Sequence, residues 1–263
     1  MAAPYPQGEA VIVVPCYNEE RRLDSAAFLD LATHPGVSLL FVDDGSHDHT
    51  GERLDEMASV SDDVQVLRLA RNMGKGEAIR HGILHATEEQ ATLVGYLDAD
   101  LATPTSEMLR LVDILRSRPE LAVVMGSRIK RLGTAIQRRG LRHAIGRVYA
   151  SVAVMALGIP VYDTQCGAKI FRVSPAFAAA MREPFPSAWG FDVRLLHRLL
   201  TGSATVPALS PESLFEAPLQ MWHEVPGSKI RLRHGAAAFL DLFLIIAERR
   251  RARRGIHRGD HGS

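Results

Sequence analysis

Two aspartates one residue apart, Asp98 and Asp100, follow the apolar run Leu93 to Leu97. Carboxylates that leave a buried strand together suit a hard divalent cation, Mg²⁺ or Mn²⁺, which also takes phosphate oxygens as ligands. Asp-x-Asp alone occurs in many loops, so its weight comes from the strand before it. A second acidic pair, Asp43 and Asp44, ends the run Leu39 to Val42 and is followed by Gly45 and Ser46. Either carboxylate can accept hydrogen bonds from the N–H of a base or from ribose hydroxyls. Asp48 or Thr50 reads as the cap of the next helix and Gly45 as its turn residue. His47 and His49 read as solvated loop residues.

Such groups act together only if the fold brings them to one edge. Apolar runs of strand length alternate with helical patterns. In order they are Ala10 to Val14, then Glu19 to Ala32; Leu39 to Val42, then Thr50 to Ala58; Val64 to Leu69, then Gly76 to Ala86. Leu93 to Leu97, Thr105 to Arg118 and the pair Val123-Val124 continue the series. Continuous rather than alternating apolar runs imply strands covered on both faces. The expected class is therefore α/β, a mostly parallel sheet sandwiched by helices, with ligands beyond the carboxyl ends of the strands. From Gly126 the alternation fades into a helix around Arg138 to Leu157, a strand at Lys169 to Arg172, a helix from Asp192 to Leu200 and a strand-like Leu214 to Val225 containing Pro218.

Composition narrows the class. The chain has 263 residues, 31 basic against 30 acidic side chains, 46% hydrophobic residues and two cysteines, which excludes disordered, collagen-like and disulfide-stapled proteins. Beyond Glu248, six arginines against Asp260 give about +5 and leave about −4 on the rest, so a basic nucleic-acid-binding body is not expected. Met1 to Ala10 shows no secretory pattern, and Ala236 to Ala247 is too short to span a bilayer. With Cys16 and Cys166 expected as free thiols, the expected location is cytoplasmic. The first βα turn, Pro15-Cys16-Tyr17-Asn18-Glu19, lacks the glycines of a dinucleotide fold, and Gly74-Lys75-Gly76 lacks the spacing of a P-loop. A nucleotide site built from side chains remains.

The segments Val-Val-Pro-Cys-Tyr-Asn-Glu-Glu, Val-Asp-Asp-Gly-Ser, Asn72-Met-Gly-Lys-Gly-Glu-Ala, Asp98-Ala-Asp100, Gly126-Ser-Arg128, Asp163-Thr-Gln-Cys-Gly-Ala-Lys, Trp189-Gly-Phe-Asp192 and Gly227-Ser-Lys229 stand in the order seen in family 2 glycosyltransferases of the GT-A fold. Residues 10 to 230 carry the resemblance, which is strongest to the polyprenyl-phosphate sugar synthases, dolichyl-phosphate β-glucosyltransferases above all.

That resemblance implies a catalytic domain over 1–233, with a donor half near 10–128 and an acceptor half near 129–233, followed by an extension over 234–263. It implies that Pro15, Tyr17, Glu19 and Asp43 hold the nucleoside with Lys75 close by, that Asp98 meets ribose or metal, and that Asp100 ligates the metal. Ser228 and Lys229 would close on the donor phosphates. Arg128 would meet the acceptor, its planar fork suited to two phosphate oxygens, assisted by Arg138, Arg139 or Arg142. Asp192 reads either as the cap of the stripe Leu195, Leu196, Leu199 or as a base beside the acceptor. Asp163 reads as a turn former or a second candidate base. Trp189 reads as a platform for a sugar or lipid head or as an ordinary packed ring, and His197 as a surface residue.

The implied reaction is inverting, metal-dependent transfer of a hexose, from UDP-glucose or alternatively GDP-mannose, to a polyprenyl phosphate, or else to a soluble acceptor. The implied partners are these two substrates and, peripherally, a membrane. Phe239, Leu240, Phe243, Leu244 and Ala247 can share a helix face ahead of the arginines and lie on anionic lipid, or that helix docks on the body.

Overall fold

The computed structural model describes residues 5, 8–129, 135–136, 140–187, 190–225, 238–249 and 251, with 135–136 and 140–147 as backbone. Four βα units open the chain: β1 (Ala10–Cys16), α1 (Ser25–Ala32), β2 (Val37–Asp43), α2 (Thr50–Val60), β3 (Val64–Arg68), α3 (Lys75–Glu88), β4 (Leu93–Leu97) and α4 (Thr105–Ser117). Then come β5 (Val123–Ser127), β6 (Ala135–Ile136), α5 (Gly140–Leu157), β7 (Ala168–Arg172), α6 (Pro175–Arg182), α7 (Phe191–Thr201), a 3₁₀ turn Pro211–Ser213, β8 (Leu214–Pro218) and β9 (Met221–Trp222). A last helix, α8, covers 238–249.

The main sheet has seven strands in the order β3-β2-β1-β4-β7-β5-β8. β7 runs antiparallel to both β4 and β5, and every other pairing is parallel. Successive residues of β1 feed opposite cores. Val11 and Val13 join the layer that includes residues of α3, α6, α7 and α8, whereas Ile12 and Val14 join the layer with α1, α2 and α4. Both faces are covered, which is why β1, β2 and β4 read as unbroken apolar runs. β6 and β9 form a separate parallel pair.

Three sequence expectations need correction, and one helix is new. The helix expected from Glu19 begins at Ser25, because residues 19–23 close a turn on the Glu19 carbonyl and Asp24 then caps the helix, its Oδ1 accepting from Ala27 N at 3.1 Å. The strand expected over Leu214 to Val225 breaks at Pro218, which lacks an N–H to continue the ladder. α6 went unread, although Ser174 caps it and Pro175 opens it. His197 is buried at 8% exposure, covered by α8 rather than facing solvent.

Candidate active site

The loops that follow β1 and β2 are stitched together. Asn18, in the left-handed region at φ 51°, donates its N–H to Ser46 Oγ at 3.0 Å and accepts from His47 N at 2.9 Å. Asp43 is 6% exposed and its Oδ1 accepts from Ser46 N at 2.9 Å. Gly45 takes φ +67° with its Cβ position 2.7 Å from the Arg71 backbone, so no side chain fits there. Asp44 has a structural task, accepting from Met73 N at 2.7 Å and Gly74 N at 2.8 Å to hold the loop before α3, and burial pushes its carboxyl up. Asp48 accepts from Thr50 N at 3.0 Å, and His49 stands at the N-cap position itself. Beyond these strand ends lies a cleft of about 440 Å³ lined by Asp43, Ser46, His47, Asp48, Arg68 and Leu69 among others. Pro15 pairs with Val42 in the β1–β2 ladder, Tyr17 is half-buried, and the Glu19 carboxylate grips Arg22 at 2.7 and 2.8 Å.

At the end of β4 the two aspartates diverge. Lys75, the first residue of α3, places Nζ 2.6 Å from Asp98 Oδ1. Asp98 N donates to Gly167 O at 3.0 Å, and a Cβ on Gly167 would stand 2.2 Å from Asp98 Oδ2. A side chain at residue 167 would therefore push the Asp98 carboxylate aside. Asp100 Oδ1 accepts from Ala102 N at 3.1 Å across a turn with Leu101 at φ 49°. Burial pushes the Asp100 carboxyl up, the neighbouring Asp98 adds to this, and Lys75 and Arg22 oppose it. Two carboxylates held near each other against burial make a place where a cation is stabilised. Among the described residues no three His, Cys, Asp or Glu side chains gather as a protein cage. Two carboxylate donors are the chemistry that fits a hard divalent cation.

A second charged group surrounds the start of β7. Arg128 holds Asp163 with both arms, Nε to Oδ2 at 2.7 Å and Nη2 to Oδ1 at 2.8 Å, and its backbone N–H also donates to Oδ2. Glu216 on β8 fixes that loop by accepting from Tyr162 N and Asp163 N, each at 2.8 Å. The Arg128 guanidinium lies 5.5 Å from the Trp222 ring centroid, a cation–π distance. Both oxygens of Asp163 are thus committed to Arg128.

Asp192 lies inside the first turn of α7, after Gly190 at the cap position, so its side chain does not cap the helix. It is 4% exposed and receives the Lys169 ammonium on Oδ1 at 2.6 Å, together with a hydrogen bond from the Tyr96 hydroxyl. Lys169 is 1% exposed and also donates to Cys166 O at 2.7 Å. Tyr96 and Lys169 face each other in the β4–β7 register. Burial, with Asp192 adding to it, drives the Tyr96 hydroxyl well above its usual value. The charges of Asp98, Asp192 and Asp100 all act on Lys75, tying the cluster to the β4 carboxylates.

Sequence reasoning did not find Lys169, Tyr96 or Gly167. The available signal was a lysine inside the apolar Ala168-Lys-Ile-Phe run, where only a buried partner makes the charge tolerable. Both cysteines are buried and neither is in a disulfide. Arg142 is described as backbone in α5, while Arg138, Arg139, Trp189, Ser228 and Lys229 lie outside the described residues.

The profile described as glycosyl transferase family 2 matches residues 11–182. The chain is 30% identical over 250 residues to a dolichyl-phosphate β-glucosyltransferase of Trichomonas vaginalis, covering 89% of this chain and 69% of the relative. It is 29% identical to the enzymes of that name from Saccharomyces cerevisiae (84% and 69% covered) and Homo sapiens (86% and 70%). Among solved structures, glucosyl-3-phosphoglycerate synthase from Mycobacterium tuberculosis superposes with TM-score 0.66 at 18% identity in its UDP complex, over 91% of this chain and 80% of that one. Its complex with Mn²⁺, UDP and glucosyl-3-phosphoglycerate gives TM-score 0.67 at 20% identity with the same coverage. The sheet with its single reversed strand is thus the GT-A fold, and the chain belongs to glycosyl transferase family 2.

Proposed function

We propose that this glycosyltransferase moves glucose from UDP-glucose, with inversion, to a polyprenyl phosphate of the dolichyl class at the cytoplasmic face of a membrane. Most of the chain, about 1–233, serves as the catalytic unit, and 234–263 as a peripheral membrane contact through α8. The names of the curated relatives support the acceptor, and the UDP complexes of the structural neighbours support the donor base. The observation that carries the reading is the edge where β4 ends: Asp98 and Asp100 follow the strand, and Lys75 places Nζ 2.6 Å from Asp98 Oδ1.

On this reading Asp43 accepts from the base or ribose, with Pro15, Tyr17 and Glu19 shaping the nucleoside site. Asp98 and Asp100 would hold Mg²⁺ or Mn²⁺, which supplies charge neutralisation for the departing diphosphate. Lys75 keeps Asp98 in place, and Ser228 and Lys229 contact the donor phosphates. An acceptor phosphate is already ionised at neutral pH, so its oxygen attacks the anomeric carbon without a base. The new C–O bond forms as the bond to the diphosphate breaks on the opposite face, and UDP leaves. Arg128, aimed by Asp163, orients that phosphate, with Arg138, Arg139 and Arg142 as further cations and Trp189 beside the acceptor head. Asp192, neutralised by Lys169, then serves to hold that lysine and the Tyr96 hydroxyl in place, and it becomes a general base only if the acceptor is an alcohol.

The test is incubation with radiolabelled UDP-glucose or GDP-mannose, a short polyprenyl phosphate, and Mg²⁺, Mn²⁺ or chelator. Label should enter the organic phase from UDP-glucose, and only with metal. Transfer from GDP-mannose alone, or transfer confined to a water-soluble phosphorylated acid, would overturn the assignment.

A further inference from the structure

We propose that α5 and α8 together form a docking surface for an anionic lipid bilayer. The inference deepens the membrane-face reading above and rests on it for the partner. It differs in where the contact lies, since Val148 and Met155 are outside the C-terminal segment. The helix α8 carries apolar residues on two sides. Ala238, Leu242 and Ile245 are buried in the core, and Asp241 is buried against Arg194 of α7. That docking leaves Leu240, Phe243 and Leu244 pointing outward at 62, 59 and 48% exposure.

The neighbouring helix adds to this face. On α5, Val148 and Met155 are 58 and 62% exposed and two turns apart, so they share one side. The two helices meet over residues 149–156 of α5. Tyr149 and Phe239 meet edge to face at 5.3 Å, and Arg249 reaches the Met155 and Ala156 carbonyls at 3.4 and 3.5 Å. Of the eight large hydrophobic side chains exposed among the described residues, five lie on these two helices. Single exposed apolar residues are ordinary, whereas a cluster on adjacent helices marks a contact surface.

Charge selects the occupant. Arg249, Arg250, Arg251, Arg253 and Arg254 follow the apolar face of α8, while the rest of the chain is mildly acidic. A second copy of this face would offer the same arginine run and no acidic run to meet it. An anionic bilayer instead neutralises the arginines while its acyl boundary takes up the apolar side chains.

The experiment uses the full chain and phosphatidylcholine vesicles with or without phosphatidylglycerol, at low and high salt, read by co-sedimentation. One variant carries Val148→Glu and Met155→Glu on α5, and a second carries Leu240→Glu, Phe243→Glu and Leu244→Glu on α8. Circular dichroism and thermal melting check that each remains folded. The wild type should partition onto anionic vesicles and release in high salt, and each variant should lose about tenfold or more in partition coefficient. The α5 pair decides the matter. Wild-type binding by that variant, no vesicle binding by the wild type, or a wild-type dimer that both variants dissolve would overturn the inference. Vesicle binding is measured apart from turnover. Loss of binding in the variants with no glucosyl transfer by the wild type would sink the activity reading alone. Transfer to a short soluble acceptor without vesicle binding would sink the surface alone.

Discussion

Replacing Lys169 with methionine removes a cation that lies at 1% exposure, 2.6 Å from a carboxylate at 4% exposure. Methionine fills most of the volume, so the loss is chiefly electrostatic. Asp192 would keep the Tyr96 hydroxyl but lose its counter-charge deep in the structure. Breaking one side of a buried ion pair costs about 3–5 kcal/mol, against about 5–15 kcal/mol for the total stability of an ordinary domain. At this chain length the melting temperature should fall by on the order of 10 °C. Asp192→Asn combined with Lys169→Met removes both charges. The double variant should then be less destabilised than the sum of the singles, by about 1–3 kcal/mol. Urea unfolding followed by circular dichroism measures all four proteins. A Lys169→Met loss below about 1 kcal/mol, or strictly additive losses, would refute the claim that this pair is a buried, mutually dependent unit.

The remaining expectations concern the site and the α7–α8 contact. Gly167→Ala would put a Cβ 2.2 Å from Asp98 Oδ2, so Asp98 must move and donor affinity should fall by tenfold or so while the protein still folds; unchanged UDP binding by calorimetry would count against it. Arg128→Lys gives up the two-armed grip on Asp163, and kcat/KM for the phosphate acceptor should drop by about 10- to 100-fold, which a steady-state assay varying acceptor would reveal or deny. Burial holds the His197 imidazole below its ordinary 6.5, so the unfolded chain takes up that proton more readily than the folded one. The resulting stability is complete above pH 6.5 and is lost as pH falls below it, so the urea midpoint should decline between about pH 7.5 and about pH 5.5, and decline less in His197→Gln. Equal declines in both proteins would remove His197 from the explanation.

The first half of the fold was readable because its strands are buried on both sides and its helices carry one-sided stripes. Leu93 to Leu97 was placed to the residue, and with it the position of Asp98 and Asp100 at a strand end. What local pattern cannot encode is which strand turns over. β7 enters antiparallel between β4 and β5, and only that register sets Lys169 opposite Tyr96 and beneath Asp192. Asp192 resembled a helix cap because helices favour a carboxylate at their start, yet the helix begins one residue earlier and carries the side chain inward. His197 was misleading for a related reason. Both sides of α8 offer apolar residues, and periodicity cannot say which side meets the body. The buried Arg194–Asp241 pair fixes that choice through tertiary contact.

The central claim is that the carboxylates at the end of β4 hold a divalent cation against the nucleoside diphosphate. Calorimetric titration of UDP into the wild type and into Asp98→Asn/Asp100→Asn, each with Mn²⁺ and with chelator, addresses it most directly. Mn²⁺ should tighten UDP binding to the wild type by about tenfold or more and leave the variant unaffected, since charge neutralisation of the diphosphate then has no anchoring carboxylates. UDP binding by the wild type that is indifferent to Mn²⁺, or a variant that keeps the full Mn²⁺ response, would contradict the account.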